Sequence, residues 1–164
     1  MSTLVRLASS RGPWATILTV DLRRWVVEMI IFPTAGHLVS WAGLCPGHDE
    51  SAGKRRSGRT RRGSKWLRTA LPEAALAATR SNDTYLAAQY RRLKGRRGHG
   101  RASIAVCHSI LAASWHMLQT GEIYHDAGGD YFTRLNPERQ TRRLIKHLEA
   151  LGHHVTLETQ PMAA

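Results

Sequence analysis

The stretch from Ile104 to Gly121 constrains the fold most. Ile104, Cys107, His108, Leu111, Trp115 and Leu118 recur at three- and four-residue steps, and Gly121 follows them. That spacing sets the side chains on one face of an α-helix, and a glycine just past the last turn takes the left-handed conformation that ends one. A chain of 164 residues built on such a helix has room for one core and little more.

Other segments carry the helical period or its punctuation. Thr34 is placed to cap Ala35 to Trp41, and Gly43 with Pro46-Gly47 ends that helix. Ser64 is placed to cap a helix carrying Trp66, Leu67, Ala70, Leu71 and Ala74, which Pro72 should kink or restart. Ser81-Asn82-Asp83 is a capping cluster ahead of Tyr85, Leu86, Tyr90 and Leu93, with Arg91, Arg92 and Lys94 on the other face. Gly95 to Arg101 reads as a basic turn. Asn136 and Pro137 open a last helix, apolar at Leu144, Ile145, Leu148 and Leu151 and basic at Arg139, Arg142, Arg143 and Lys146. Val155-Thr156-Leu157 reads as one short C-terminal strand. Val20 to Ile31 reads as a short helix with Trp25, Val26 and Met29 on one side. The expected class is mainly α: a small helical domain with a long basic loop. Residues 1–30 form an atypical N-terminal segment, 31–151 the helical domain and 152–164 a tail.

The basic loop spans residues 48–65. It holds Lys54, Arg55, Arg56, Arg59, Arg61, Arg62 and Lys65, with glycines at 53, 58 and 63 and no large apolar residue. Such a segment has nothing to bury, so it reads as an exposed, mobile loop. The whole chain has 24 Lys and Arg against 12 Asp and Glu, a net charge of +12. Arginine dominates the excess, and its planar fork suits phosphate. Nucleic acid is therefore the expected partner, ahead of a membrane surface. Charge recurs from Arg91 to Arg101 and again from Arg139 to Lys146, and the three segments are expected to share one surface.

Several classes fall away. Two cysteines, Cys45 and Cys107, make neither a disulfide framework nor a Cys-rich zinc module. No apolar run reaches membrane-spanning length. Trp14 to Val20 is Thr-interrupted and is followed by Asp21-Leu22-Arg23-Arg24, which reads against an export signal. No metal site is expected: His108 and His116, eight residues apart on one helix, are separated by roughly 12 Å of rise. Cys45 with His48 is one short pair with no second, and Asp126 and Asp130 lie in a turn where they could hold Mg2+, although capping and turn formation explain them as well.

Ser51 stands between Asp49-Glu50 and the basic run that begins at Lys54. A hydroxyl there has cations at hand to stabilise charge on a phosphorus under attack. From spacing alone, a turn or capping role explains it as well.

Three strings together resemble the C-terminal domain of bacterial insertion-sequence transposases of the one-ten/one-sixteen family. They are Phe32 to Gly47 (FPTAGHLVSWAGLCPG), Glu50 to Arg55 (ESAGKR) and Gly63 to Arg68 (GSKWLR). Thr84 to Leu93 (TYLAAQYRRL) and His108 to Leu111 (HSIL) resemble it too, so the likeness covers about residues 26 to 150. The resemblance implies a DNA recombinase with a nucleophilic serine that links covalently to DNA, guided by a structured RNA. By its motif that serine is Ser51, with Ser57 and Ser64 as lesser candidates. The basic loop residues, with Arg91, Arg92, Arg96 and Arg97, then contact DNA or guide RNA. Full-length relatives carry an N-terminal domain with four carboxylates, where Mg2+ is expected; this chain resembles a truncated copy that is not expected to be an active transposase by itself. A non-catalytic basic DNA- or RNA-binding module is the rival reading. A homo-oligomer, association with intact transposase, and a cytoplasmic, nucleoid-associated location complete the expectations.

Overall fold

A computed structural model describes residues 31–47 and 49–158, with Asp49, Arg55 and Arg56 described by their backbone alone. The expectations for Trp14, Trp25, His48 and all of the Val20–Ile31 segment but its last residue lie outside the described residues. Within them run α1 (Ala35–Trp41), β1 (Asp49–Ser51), β2 (Lys54–Ser57), α2 (Leu67–Arg80), α3 (Tyr85–Arg97), α4 (His99–Thr120), α5 (Tyr131–Arg134) and α6 (Pro137–Ala150). The protein is mainly helical, as its periodicity predicts.

Helix α4 is the axis of the core, and α1, α2 and α3 pack on it. Val106, Cys107, Ile110 and Leu111 are fully buried there, against Leu38 and Val39 of α1 and Leu71 of α2. Each such side chain contributes about 1.5–3 kcal/mol. Ala74, Ala75 and Ala78 make the inner face of α2 thin, which lets the helices approach closely. Ser114, the one buried polar residue of the described core, donates to Ile110 O at 2.9 Å and so is satisfied. Trp115 Nε1 donates to Phe32 O at 3.1 Å, tying the entry of α1 to α4.

Caps follow the sequence in three places. Thr34 accepts from His37 N, Asn136 accepts from Arg139 N, and Gly121 ends α4 at φ 73. Elsewhere the structure corrects the reading. Helix α2 passes through Pro72 without restarting, and Ser64 gives it no side-chain cap. The proline removes one backbone donor, but the packing of Leu71 and Ala74 on α4 holds the helix together. Thr84, not the Ser81–Asp83 cluster, caps α3 by accepting from Ala87 N. Asp83 is spent on a left-handed turn (φ 51) whose carbonyl accepts from Gly129 N. Asp126 Oδ1 accepts from Tyr85 N at 2.8 Å and Gly128 N at 2.7 Å, so a side chain far along the chain completes the start of α3. The basic turn expected at 95–101 shrinks to a single break at Gly98 (φ 80) between α3 and α4. Gly95 stays helical because good helix formers flank it.

Residues 155–157 do not form a strand; among the described residues they have no neighbouring strand to pair with, and an unpaired strand has no ladder to stabilise it. The strands lie instead inside the basic segment. Helix α6 attaches through α5 and buries none of its residues against the described part of the chain, leaving Leu144, Leu148 and Leu151 exposed.

Candidate nucleic-acid interface

The basic segment is exposed, but it is a hairpin rather than a structureless loop. β1 and β2 pair antiparallel, with Glu50 opposite Arg55 and Ser51 opposite Lys54. Ala52 and Gly53 form the turn with φ 51 and 70, the two positive angles that a two-residue hairpin of matching twist requires. Because Asp49 pairs with Ser57, Arg56 is an extra residue on β2, a bulge that bends the strand.

Below the strands the two arms stay joined. Pro46 bridges Thr60, and Gly47 N donates to Arg59 O at 2.9 Å. Arg68 Nη1 of α2 donates to Arg61 O at 2.8 Å, stapling the returning arm to the helical body. At Gly63 that arm passes so close to the end of α1 that an added Cβ would lie 2.1 Å from Ala42 O. Glycine is required there by contact, since no side chain fits between two backbones.

The stem forms one wall of a groove of about 1160 Å3; the end of α3 and the start of α4 form the other. Arg59 comes from the stem, Arg96 and Arg97 from α3, and Arg101 from α4. Among the described residues no Asp or Glu lines it. The ion pairs among the described residues, Arg134–Asp130 and Arg142–Glu138, lie on α5 and α6, away from it. Four guanidinium groups facing one concavity without a carboxylate make a field that concentrates anions. Gly98 supplies no capping side chain to α4, so the first amides of that helix also face this end without a cap. Tyr90 Oη and His99 Nδ1, 2.6 Å apart, brace the elbow between the two helices.

The floor of the groove is polar. Gln89 Nε2 donates to Ser109 Oγ at 2.9 Å, and Ser109 Oγ donates onward to Ala105 O at 3.2 Å. Gln89 Oε1 is buried and accepts from no group among the described residues.

The sequence-derived residues divide accordingly. Arg59, Arg96 and Arg97 meet in the groove. Ser51 and Lys54 are exposed and face each other at the hairpin tip, while Arg55 and Arg56 follow on β2. Arg61, Arg62 and Lys65 lie on the returning arm, outside the groove. Arg92 lies over the Phe132 ring at 4.7 Å and Arg91 is exposed beside it. Ser57 lines the groove and its Oγ accepts from Arg59 N at 3.1 Å; Ser64 lies at the foot of α2. The third basic segment does not join the groove. α6 hangs from α5, whose rings pack on Tyr85 at the opposite end of α3.

Arg101 closes the second basic segment but is not among the contact residues expected from the sequence, and charge and motif alone do not single out Gln89 or Ser109. Gln89 does carry a signal: it sits among Leu86, Tyr90 and Leu93, on the side of α3 that faces the body. Among the described residues no three His, Cys, Asp or Glu side chains come together as a metal site, and no helix is long and apolar enough to cross a membrane.

Burial pushes the Cys107 thiol up to about 12, which removes it from thiolate chemistry. Burial, with the Asp126 charge beside it, raises Tyr124 as well. Neither group borders the groove.

No curated protein and no solved structure matches the chain. Residues 16–91, which include α1, the hairpin, α2 and the first half of α3, match the model of the IS116/IS110/IS902 transposase family.

Proposed function

We propose that this protein binds nucleic acid between its basic hairpin and the α3–α4 elbow as part of DNA transposition. The family match supports a role in transposition. The observation that carries the binding reading is the groove, with Arg59, Arg96, Arg97 and Arg101 on its walls and no carboxylate among the described residues to neutralise them. Phosphates entering it exchange condensed counterions for fixed guanidinium partners, so binding weakens steeply with salt.

The hairpin tip is the proposed reacting end. Ser51 and Lys54 are a cross-strand pair on one face, whereas Glu50 projects to the opposite face. A cation, not the adjacent carboxylate, thus neighbours the Ser51 hydroxyl. In the proposed step the Ser51 Oγ–P bond forms as the P–O bond to one flanking deoxyribose breaks. The hydroxyl proton passes to a base, and the departing sugar oxygen takes up a proton. Lys54 stabilises the charge that builds on the phosphorus oxygens. The base, and any metal-bearing carboxylates, are expected from a part of the assembled transposase other than the described residues. Structured guide RNA and a second copy of the chain are the further partners proposed.

The test is an electrophoretic shift on duplex DNA and structured RNA across a salt series, repeated on denaturing gels. Salt-dependent binding with a covalent adduct that Ser51→Ala removes supports both parts. Binding without an adduct leaves a non-catalytic nucleic-acid module. Binding that survives reversal of Arg59, Arg96, Arg97 and Arg101 to Glu at moderate salt refutes the interface.

A further inference from the structure

Helix α6 is amphipathic, yet the described residues leave its apolar side uncovered. Leu144, Leu148 and Leu151 are 53, 40 and 63% exposed, and no residue of the helix is buried. At about 100° per residue these leucines fall within about 60° of one another. Their spacing of four and then three residues is that of a coiled-coil seam, which is narrower than the stripe of a helix lying on a core. A helix of 14 residues without such packing is marginal in water.

Charge decides what can cover the seam. With Leu148 at heptad position a and Leu144 and Leu151 at d, the other places that line or flank the seam between Thr141 and Leu151 are Thr141, Ile145 and His147. None of them is Lys, Arg, Asp or Glu. Arg139, Arg142, Arg143 and Lys146 all fall at b, c and f, on the back of the helix. Glu138, at the front edge of the first turn, is held by Arg142 of its own chain, Nη2 to Oε2 at 3.6 Å. An acidic partner helix is selected through cations at e and g, and a lipid surface takes a broader apolar face with Trp or Phe in it. α6 has neither. A chain of net charge +12 repels its own copy wherever cations meet, but along this seam two copies meet leucine to leucine with the helix cations turned outward.

We propose that α6 is a pairing helix, whose Leu144–Leu148–Leu151 seam packs against the same seam of a second copy of this chain. The contact is isologous, so one patch serves both copies. It gives a surface to the second copy proposed above as a partner, and it does not rest on the reading of the groove. Two turns of seam make a small interface, so the pair forms reversibly with concentration. Pairing leaves Arg139, Arg143 and Lys146 on the outside, and each chain keeps its groove at the end of α3 remote from the joint. A nucleic acid long enough to reach both grooves then binds the pair more tightly than it binds one copy.

Sedimentation equilibrium of the full chain, freed of nucleic acid and run over a concentration series with and without added sulfate, tests this. The proteins compared are wild type, Leu144→Gln/Leu148→Gln, Thr141→Lys and the control Leu76→Gln, which alters a leucine 48% exposed on α2. Circular dichroism confirms that each folds. Thr141→Lys puts a cation into the seam while improving helix propensity, so its effect is not a loss of helix. A monomer–dimer equilibrium is expected for wild type and for Leu76→Gln, with the dissociation constant raised about tenfold or more in both seam variants. Sulfate should tighten the dimer, because it strengthens apolar burial. A wild type that stays monomeric at every concentration overturns the proposal, and its sedimentation with anionic phospholipid vesicles would then assign the seam to lipid. A dimer that the seam variants leave unchanged, that Leu76→Gln weakens as much, or that sulfate dissociates also overturns it. A short oligonucleotide that reaches one groove alone separates the two readings. If wild type is monomeric and Arg59→Gln/Arg96→Gln/Arg97→Gln/Arg101→Gln still loses affinity for it, the groove stands and only this inference falls. If the dimer forms and that variant binds unchanged, the groove falls and pairing stands.

Discussion

Replacing Gly63 by alanine tests how the hairpin is anchored. The new Cβ would stand 2.1 Å from Ala42 O, 2.2 Å from Ala42 C and 2.4 Å from Gly43 N. All three are backbone atoms at the buried end of α1, so no side chain can swing away, and one chain segment must retreat by about an ångström. Overpacking of this kind costs about 1–3 kcal/mol. The arm is the cheaper part to displace. It is held by the Pro46–Thr60 bridge, by Gly47 N to Arg59 O and by Arg68 to Arg61 O, each a bond worth about 1 kcal/mol net, whereas α1 is anchored by fully buried Val39. Gly63→Ala should therefore release the returning arm and draw Arg59 out of the groove while the helical core stays intact. Hydrogen exchange reads this directly. The Gly47 amide should exchange about 5–150-fold faster, the factor that about 1–3 kcal/mol of lost local stability gives. Amides in the middle of α4 should keep their protection. Unchanged exchange at Gly47, with an unchanged melting temperature, would refute the close approach and the anchoring argument with it.

Gly95→Ala should act in the opposite direction, because its Cβ meets nothing within 4 Å and the site is helical. A gain of about 0.8–1 kcal/mol, or about 2–4 °C in melting temperature, is expected by calorimetry. Asp126→Ala removes the acceptor for Tyr85 N and Gly128 N and should cost about 0.5–2 kcal/mol in denaturant unfolding. Cys107 should resist alkylation at neutral pH until the protein unfolds. Since folding raises its value from 9.0 to about 12, its contribution is fully present below pH 9 and is lost as pH rises from 9 towards 12. Urea midpoints across that range check the sign, and a midpoint that rises there would contradict it.

The sequence shows the helices where one face is buried or a cap is local. Ile104 to Leu118 form one strip because α1, α2 and α3 all pack on α4, and the Thr34 and Asn136 caps act on amides three residues away. Structure made by distant partners is not visible in that way. Asp126 completing α3 depends on a bond between residues 41 apart, and the hairpin depends on a bulge and a two-residue turn within a string that has no apolar alternation. Of the site, charge alone made Arg59, Arg96 and Arg97 legible. Arg101 reads from sequence as part of a turn and enters the groove because α4 begins at His99, and Ser109 matters only through its bond to Gln89. The basic face of α6 resembles the other two basic segments in sequence yet lies at the far end of α3, a separation fixed by the packing of Tyr131 and Phe132 on Tyr85.

The claim that phosphates are held in the α3–α4 groove is tested most directly by the slope of log affinity against log salt for wild type and for the variant with Arg59, Arg96, Arg97 and Arg101 all changed to Gln. Each phosphate neutralised contributes about 0.7 on a single strand and about 0.9 on duplex DNA. Removing the four guanidinium groups should therefore flatten the slope by about 3. Parallel lines for the two proteins would contradict the account.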